Sequence, residues 1–112
     1  MKLVTAVLRP EILAKVRGAL CDVDIPGMTV SEVKGFGKQK GHTELYRGTE
    51  FTVEFVPKVK LEIAISQKNL DLLIKTISDI ARSGQKGDGK IFVTDIEKVV
   101  RIRTGETDHD AL

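Results

Sequence analysis

Hydrophobic and polar positions along the chain alternate in some segments and follow a helical period in others. Apolar-rich runs from Leu3 to Leu8, Met28 to Lys34 and Lys90 to Ile96 each predict a short strand. A longer strand with one buried face is predicted between the second and the last of these. Its apolar positions are Val53, Phe55, Val59, Leu61, Ile63 and Ile65, and its polar positions are Thr52, Glu54, Lys58, Lys60 and Glu62.

Two segments have apolar residues at helical spacing. Proline suits the first turn of a helix, so Arg9-Pro10 ends the first strand and opens the first helix. This helix ends at Pro26-Gly27, and its apolar face carries Ile12, Leu13, Val16, Ala19, Leu20 and Val23. The second helix is expected to have Gly84 at its C′ position, and its apolar face carries Leu70, Leu73, Ile74, Ile77, Ile80 and Ala81. The order βαββαβ predicts an α+β, ferredoxin-like sandwich.

Length and composition narrow the class of protein. The 112 residues are expected to form one domain, residues 1–112, with a single modest core. The lone Cys21 excludes an internal disulfide, suits a reducing cytoplasm and is expected to be inert packing in the first helix. Without a signal peptide or a membrane-length apolar run, a membrane role is expected only through a partner. His42 and His109 lack ligand neighbours at metal-binding spacing, so a zinc site is not expected.

The segment from Ser83 to Arg103 carries the densest candidate chemistry. Closely spaced glycines allow positive φ and turn successive N–H groups into a concavity that holds an anion. A lysine adds a point charge, and two arginines, on one side of an extended backbone, add forks suited to phosphate. These residues are Gly84, Gly87, Gly89, Lys90, Arg101 and Arg103. A nucleotide phosphate is the expected ligand, and a plain glycine-rich turn between helix and strand is the alternative.

Most of a P-loop pattern is also present, with Gly84, four residues, Gly89 and Lys90. However, Ile91 stands where Ser or Thr would hold magnesium, and the segment leads from a helix into a strand, which is the reverse of a P-loop. A P-loop NTPase is therefore excluded. No nucleophile–base pair or carboxylate dyad stands out, so the chain is not expected to be an enzyme.

RNA binding is a rival function. Residues 34–37, Lys-Gly-Phe-Gly, match the opening of an RNP1 motif. Lys-Gln-Lys then follows where Phe-Val-x-Phe is needed, and aromatic residues make up only 4% of the chain. A net charge of +2 adds no general attraction to nucleic acid. No nucleic-acid partner is therefore expected.

The connection at residues 36–51 is too long for an ordinary hairpin. Loops longer than about 12–15 residues are usually functional or disordered. This one holds Tyr46 beside Arg47, two lysines at positions 38 and 40, and glycines near both ends that suit hinges. These features favour a protruding interaction arm over a tolerated insertion.

Four segments carry a resemblance to a known family. Residues 43–51, TELYRGTEF, resemble the T-loop signature of the nitrogen-regulatory PII signal-transduction proteins, and residues 83–93 are similar to their B-loop signature with Gly-Asp-Gly-Lys. Residues 27–33 and 101–106 resemble the family's second strand and C-terminal run. The likeness covers nearly the whole chain. It implies a homotrimer with a T-loop at 36–51, a B-loop at 83–90 and a C-terminal segment at 99–112.

The resemblance also implies a cytoplasmic regulator that binds ATP or ADP between subunits and senses 2-oxoglutarate with Mg-ATP. Its implied partners are an ammonium transporter and nitrogen-assimilation enzymes, with Tyr46 and Arg47 meeting the transporter. The implied nucleotide-binding residues are Thr29, Gly35, Lys38, Glu62, Gly87, Asp88, Gly89 and Lys90, with Arg101 and Arg103 from the adjoining subunit. The implied 2-oxoglutarate residues are Gln39, Lys40, Gly41, Lys58 and Gly87, and Gln39 also serves magnesium.

Four positions depart from the family pattern. Phe51 occupies the usual modified tyrosine, so nucleotidylylation there is chemically impossible. Lys38 replaces a frequent arginine, and an ammonium group cannot make the bidentate phosphate contact. Lys86 replaces a common apolar residue, and Ser83 replaces a threonine. Lys38 and Lys86 leave the relative affinity for ATP and ADP open.

Overall fold

A computed structural model describes residues 1–25, 27–36 and 55–112. The strands are β1 (Lys2–Leu8), β2 (Thr29–Gly35), β3 (Val56–Ile65) and β4 (Lys90–Asp95), and the helices are α1 (Leu13–Asp22) and α2 (Leu70–Ala81). Short 3-10 turns at Pro10–Ile12 and Gln67–Asn69 lead into the helices, and a third spans Asp108–Ala111. The predicted α+β class and the order βαββαβ are confirmed. No described helix is both long enough and apolar enough to cross a membrane.

The strands form one antiparallel sheet in the order β2-β3-β1-β4. In the register, Val4 of β1 lies opposite Ile63 of β3 and Val93 of β4. Because side chains alternate along each strand, residues in register with Val4 face the helices, and their neighbours face the other side. The sheet therefore has two chemically different faces.

The core lies between the helices and the inner face of the sheet. The predicted periods of β1, β3 and the two helices are confirmed, because the twelve buried hydrophobic residues there follow those periods. They are Val4, Ala6, Leu8, Val16, Leu20, Val59, Leu61, Ile63, Ile65, Leu73, Ile77 and Ala81. Full burial of one such Leu or Ile side chain contributes about 1.5–3 kcal/mol.

The other face of the sheet is not covered by any element in the described part of the chain. Lys58, Lys60 and Glu62 of β3 lie on it, and so does Phe92 of β4, which is opposite Thr5 in the register. Phe92 is 51% exposed. An exposed aromatic ring on an open sheet face is a candidate contact surface.

Three expectations about the elements were wrong. Phe55 is 60% exposed because it precedes β3 and does not reach the buried face; its ring packs edge to face on Phe36, with ring centroids 5.7 Å apart. Cys21 is exposed, because it lies on the outer side of α1, away from Val16 and Leu20. Gly84 is not the C′ residue of α2, because the helix is capped at Arg82 and the next residue is Ser83.

The segment holding Arg101 and Arg103 was also predicted wrongly as extended. The N–H of Arg101 donates to the Glu106 carbonyl oxygen at 2.9 Å, and the N–H of Gly105 donates to the Arg101 carbonyl oxygen at 2.8 Å. Gly105 has a φ of +78°, which permits this tight reversal. The two arginines therefore sit in a turn, with Ile102 between them 97% exposed.

Candidate functional site

The B-loop, residues 83–90, folds around the carboxylate of Asp88. This carboxylate accepts hydrogen bonds from the N–H groups of Ser83 at 2.8 Å and Gly84 at 2.9 Å, and from the Ser83 hydroxyl. The Ser83 hydroxyl and then its N–H, with smaller contributions from Gly84 and Arg9, hold the pKa of Asp88 below its ordinary value of 3.8. The loop is therefore ordered by a charged carboxylate of its own.

Gly89 lets the B-loop lie directly on the end of β1. Its φ is +102°, and a Cβ atom added there would stand 1.8 Å from the carbonyl oxygen of Val7. Only glycine fits such an approach. The dense glycines were predicted for positive φ, and Gly84, Gly87 and Gly89 all have it.

Lys58, at the start of β3, contacts the tip of the same loop. Its ammonium group donates a 2.8 Å hydrogen bond to the Gly87 carbonyl oxygen. These two residues belong to the set predicted for 2-oxoglutarate. The fold places them in contact although they are far apart in the chain.

A cleft of about 380 Å³ opens beside this contact. It brings together four residues predicted for ligand binding, which are Gly35, Lys58, Gly89 and Lys90. The remaining lining residues are apolar and were missed from the sequence; they are Val7, Phe36, Val56 and Phe92. An apolar lining with a few polar groups, at this size, is typical of small-molecule sites.

Alternation could have indicated part of this missed lining. Val4, Ala6 and Leu8 face the core, so Val7 must face the opposite side, where Phe92 also lies. The contribution of Phe36 has no such signal, because it follows the last residue of β2.

Thr29 and Glu62 lie farther along the same sheet face. They are opposite each other in the register of β2 and β3. Glu62 shares its face with Lys58, as predicted, but neither Thr29 nor Glu62 lines the cleft.

Arg101 and Arg103 lie outside the cleft as well. The Arg101 guanidinium group donates to a Glu106 carboxylate oxygen at 2.9 Å and to the main-chain oxygen of Leu112 at 3.2 Å. Arg103 is exposed in the turn. A single chain therefore brings the B-loop and Lys58 together at the cleft, but neither Arg101 nor Arg103 of that chain lines it.

Comparison with known protein families assigns the chain to one of them. The family model described as Nitrogen regulatory protein P-II matches residues 1–106. The chain belongs to the P-II family. Its members are signal-transduction regulators of nitrogen metabolism and are not enzymes, so the predicted recognition and the predicted regulatory class are confirmed.

Curated P-II relatives match the chain along its whole length. The Nitrogen regulatory protein P-II of Pasteurella multocida (strain Pm70) and the Nitrogen regulatory protein GlnK of Escherichia coli (strain K12) are each 55% identical over 112 residues, which is 100% of both chains. The Nitrogen regulatory protein P-II of Rhizobium meliloti (strain 1021) is 52% identical over the same coverage.

Several predicted P-II positions lie outside the described residues, because they fall within 37–54. They are Lys38, Gln39, Lys40, Gly41, Tyr46, Arg47 and Phe51, together with most of the predicted T-loop. Within the described ranges, no group of three or more His, Cys, Asp or Glu side chains is placed to hold a metal ion. The predicted magnesium contact, Gln39, is not among those ranges.

Proposed function

We propose that this P-II chain binds ATP or ADP at the B-loop cleft and senses 2-oxoglutarate together with Mg-ATP. Through its T-loop it then regulates an ammonium transporter or nitrogen-assimilation enzymes. The observation that carries the proposal is the convergence of Gly35, Lys58, Gly89 and Lys90 on one cleft beside the Gly87 carbonyl group.

The residues of the cleft fit a nucleotide. Gly87 and Gly89 hold the loop backbone at positive φ, and Gly89 also lets the loop lie directly on the end of β1, so that the main-chain N–H groups can face a ligand. Lys90 supplies positive charge for phosphate oxygens, Lys58 supplies a cation for the effector's carboxylate, and Phe36 and Phe92 supply apolar area for a base. Asp88 serves this site by ordering the loop rather than by meeting a phosphate, because its oxygens are already occupied.

A homotrimer would complete the site. Arg101 and Arg103 lie outside the cleft of their own chain, and the open sheet face beside the cleft exposes Phe92. A neighbouring chain that covers this face would bury apolar area, which a domain of this size benefits from. It would also bring its own Arg101 and Arg103 to the phosphates. Thr29 and Glu62, farther along that face, would then lie toward the adenosine.

The effector 2-oxoglutarate would join through magnesium and Lys58. Magnesium prefers six oxygen ligands in an octahedral arrangement, and nucleotide phosphates can fill only some of these positions. Gln39 is the chain's own candidate ligand, with Lys40 and Gly41 beside it in sequence. Lys58 would exchange its bond to the neutral Gly87 carbonyl group for one to a ligand carboxylate, which is a stronger charge-assisted contact.

The T-loop would bind the regulated target protein. Tyr46 and Arg47 would dock on a cytoplasmic target, so the chain would reach the membrane only through a transporter. The coupling between the two binding events is reciprocal. A ligand that lowers the affinity for the target must therefore have its own affinity lowered by the target by the same factor.

Calorimetric titration tests the proposal, with ATP, ADP and 2-oxoglutarate added singly and then together. We expect ATP and ADP to bind alone, and 2-oxoglutarate to bind only with Mg-ATP. Equal binding of 2-oxoglutarate with and without nucleotide would overturn the sensing mechanism. Absence of any nucleotide binding would overturn the whole proposal.

A further inference from the structure

Arg9 lies beneath the B-loop, at the end of β1 and just before the turn that starts at Pro10. None of the sequence motifs includes it. Its side chain is 28% exposed, and it contacts two separate parts of the structure. These contacts give it a role in the site that neither charge pattern nor spacing indicates.

The first contact is with the end of α2. A terminal N–H of Arg9 donates to the carbonyl oxygen of Ala81 at 3.3 Å. Ala81 is the last residue of that helix, where carbonyl groups lack helical partners and carry partial negative charge. A cation there satisfies one of these carbonyl groups and ties β1 to the helix end.

The second contact is with Asp88 inside the B-loop. The same Arg9 nitrogen, Nη2, lies 3.4 Å from the Asp88 carboxylate, which is 23% exposed. Asp88 in turn accepts the N–H groups of Ser83 and Gly84. A chain of contacts therefore runs from the end of α2 through Arg9 and Asp88 to the first residues of the loop.

The Nε atom of Arg9 is buried and has no hydrogen-bond partner among the described residues. A buried donor without a partner is unfavourable, so packing alone is a poor reason for arginine at this position. The two contacts of its terminal nitrogen account for the residue better. Both of them fix the B-loop relative to the sheet.

The B-loop has a second tether, from Lys58 to the Gly87 carbonyl group, at its opposite side. In the proposed function Lys58 leaves that carbonyl group to meet the effector's carboxylate. In the proposed function neither Arg9 nor Asp88 contacts a ligand, so their contact can hold the loop while Lys58 moves. The two tethers therefore have different roles.

We propose that Arg9 is a positioning residue for the phosphate-binding loop, acting through Asp88 and without touching the nucleotide. The inference rests on the proposed nucleotide function of the same cleft. The Arg9 guanidinium group, on the helix side of the sheet, orders the loop and thereby raises the affinity for ATP.

The experiment compares Arg9→Met, Arg9→Lys, Asp88→Asn and the double variant Arg9→Met/Asp88→Asn. We expect Arg9→Met to weaken ATP binding about five- to tenfold while the chain stays folded, which is the scale of one charged contact. Arg9→Lys should recover part of the loss, because the ammonium group keeps a positive charge near Asp88 but ends a shorter side chain that lacks the planar guanidinium group. The double variant should lose less than the product of the two single losses, because both remove one contact.

Lys2→Met is the matched control. Like Arg9→Met it removes one positive charge, but at the start of β1, where Lys2 makes an exposed ion pair with Asp95. We expect its ATP affinity to equal that of the wild type. If Lys2→Met and Arg9→Met lose affinity equally, general charge explains both and the proposal is wrong.

Amide hydrogen exchange at residues 83–90 without nucleotide separates this inference from the proposed function. Arg9→Met should speed exchange at Ser83 and Gly84, whose N–H groups bond to Asp88. If the wild type binds no nucleotide, the proposed function fails and exchange still decides whether Arg9 orders the loop. Unchanged exchange in Arg9→Met, or unchanged ATP affinity, overturns the proposal. If Arg9→Met does not fold, Arg9→Lys gives the same two readouts with a smaller expected effect.

Discussion

The ammonium nitrogen of Lys58 lies 2.8 Å from the carbonyl oxygen of Gly87, so the start of β3 is joined to the tip of the B-loop. The bond is on the exposed side of the loop, where a ligand can reach it. A carbonyl oxygen is a neutral acceptor, and a carboxylate is a stronger one. Lys58 is therefore held close to the cleft by a partner that an anionic ligand can replace.

Replacing Lys58 by methionine should abolish the response to 2-oxoglutarate and leave ATP binding nearly intact. The methionine keeps most of the length of the side chain but cannot pair with a carboxylate. Calorimetry with Mg-ATP present measures the loss. The matched control is Lys60→Met, on the same face of β3 but outside the cleft, which should respond like the wild type. An intact 2-oxoglutarate response in Lys58→Met would show that another cation holds the effector.

Gly89→Ala should displace the B-loop and reduce both stability and nucleotide binding. Its added Cβ atom would meet the Val7 carbonyl oxygen at 1.8 Å, which main-chain atoms cannot absorb without moving. Thermal unfolding and ATP titration measure the two effects. Gly18→Ala is the control with the opposite sign, since it has open space in α1 and should gain about 0.5–1 kcal/mol from reduced chain entropy. Equal stability of the two variants would contradict the close approach.

The contribution of Asp88 to stability should disappear in acid. The pKa of Asp88 is below 3.8 in the folded chain because Ser83, mainly through its hydroxyl, stabilises the carboxylate. A lowered pKa means that the stabilisation is fully present above the ordinary value. It is lost as the pH falls from about 4 through the lower folded pKa. The difference in free energy of unfolding between the wild type and Asp88→Asn should therefore be constant near neutral pH and shrink in that window. A difference that grows as the pH falls would contradict the assignment.

Local patterns predicted the sheet and helices because burial here follows local periods. Val59, Leu61, Ile63 and Ile65 alternate along β3, and each is buried as the period of two requires. The same rule placed Phe55 on the buried face, and there it was wrong. A period cannot show where a strand begins, and Phe55 instead packs on Phe36 just outside β3.

The candidate site was predictable only in part. Gly89 and Lys90 stand out because glycine density is visible in the sequence. The pairing of Arg9 with Asp88 is not visible, since it depends on how β1 and α2 end beside the loop. Arg101 and Arg103 alternate as in a strand, but Gly105 and the Thr104–Glu106 hydrogen bond of 2.9 Å close a turn instead. Contacts between distant residues and competing local hydrogen bonds are therefore what spacing alone cannot supply.

Arg47→Ala should lose inhibition of an ammonium transporter while nucleotide affinity stays at the wild-type value. The expected reason is that a buried planar cation needs matching carbonyl or carboxylate groups on the target, and alanine offers none. Transport assays with increasing amounts of the variant measure the loss, and ATP calorimetry is the control. Inhibition at the wild-type concentration would show that Arg47 is not the docking residue.

Arg103→Ala should weaken ATP binding by about ten- to hundredfold, because a hydrogen bond to a charged group contributes about 1.5–3 kcal/mol. Arg103 is exposed in its turn and lies outside the cleft of its own chain, so its effect requires a second chain. The matched control is Arg82→Ala, an exposed arginine at the end of α2, which should bind ATP normally. Mixing Arg103→Ala chains with Lys90→Ala chains tests the subunit boundary directly. If the two groups act on one nucleotide from different chains, mixed assemblies should regain some intact sites, whereas sites built within one chain would all stay impaired. Unchanged ATP affinity in a trimeric Arg103→Ala variant would remove this arginine from the site.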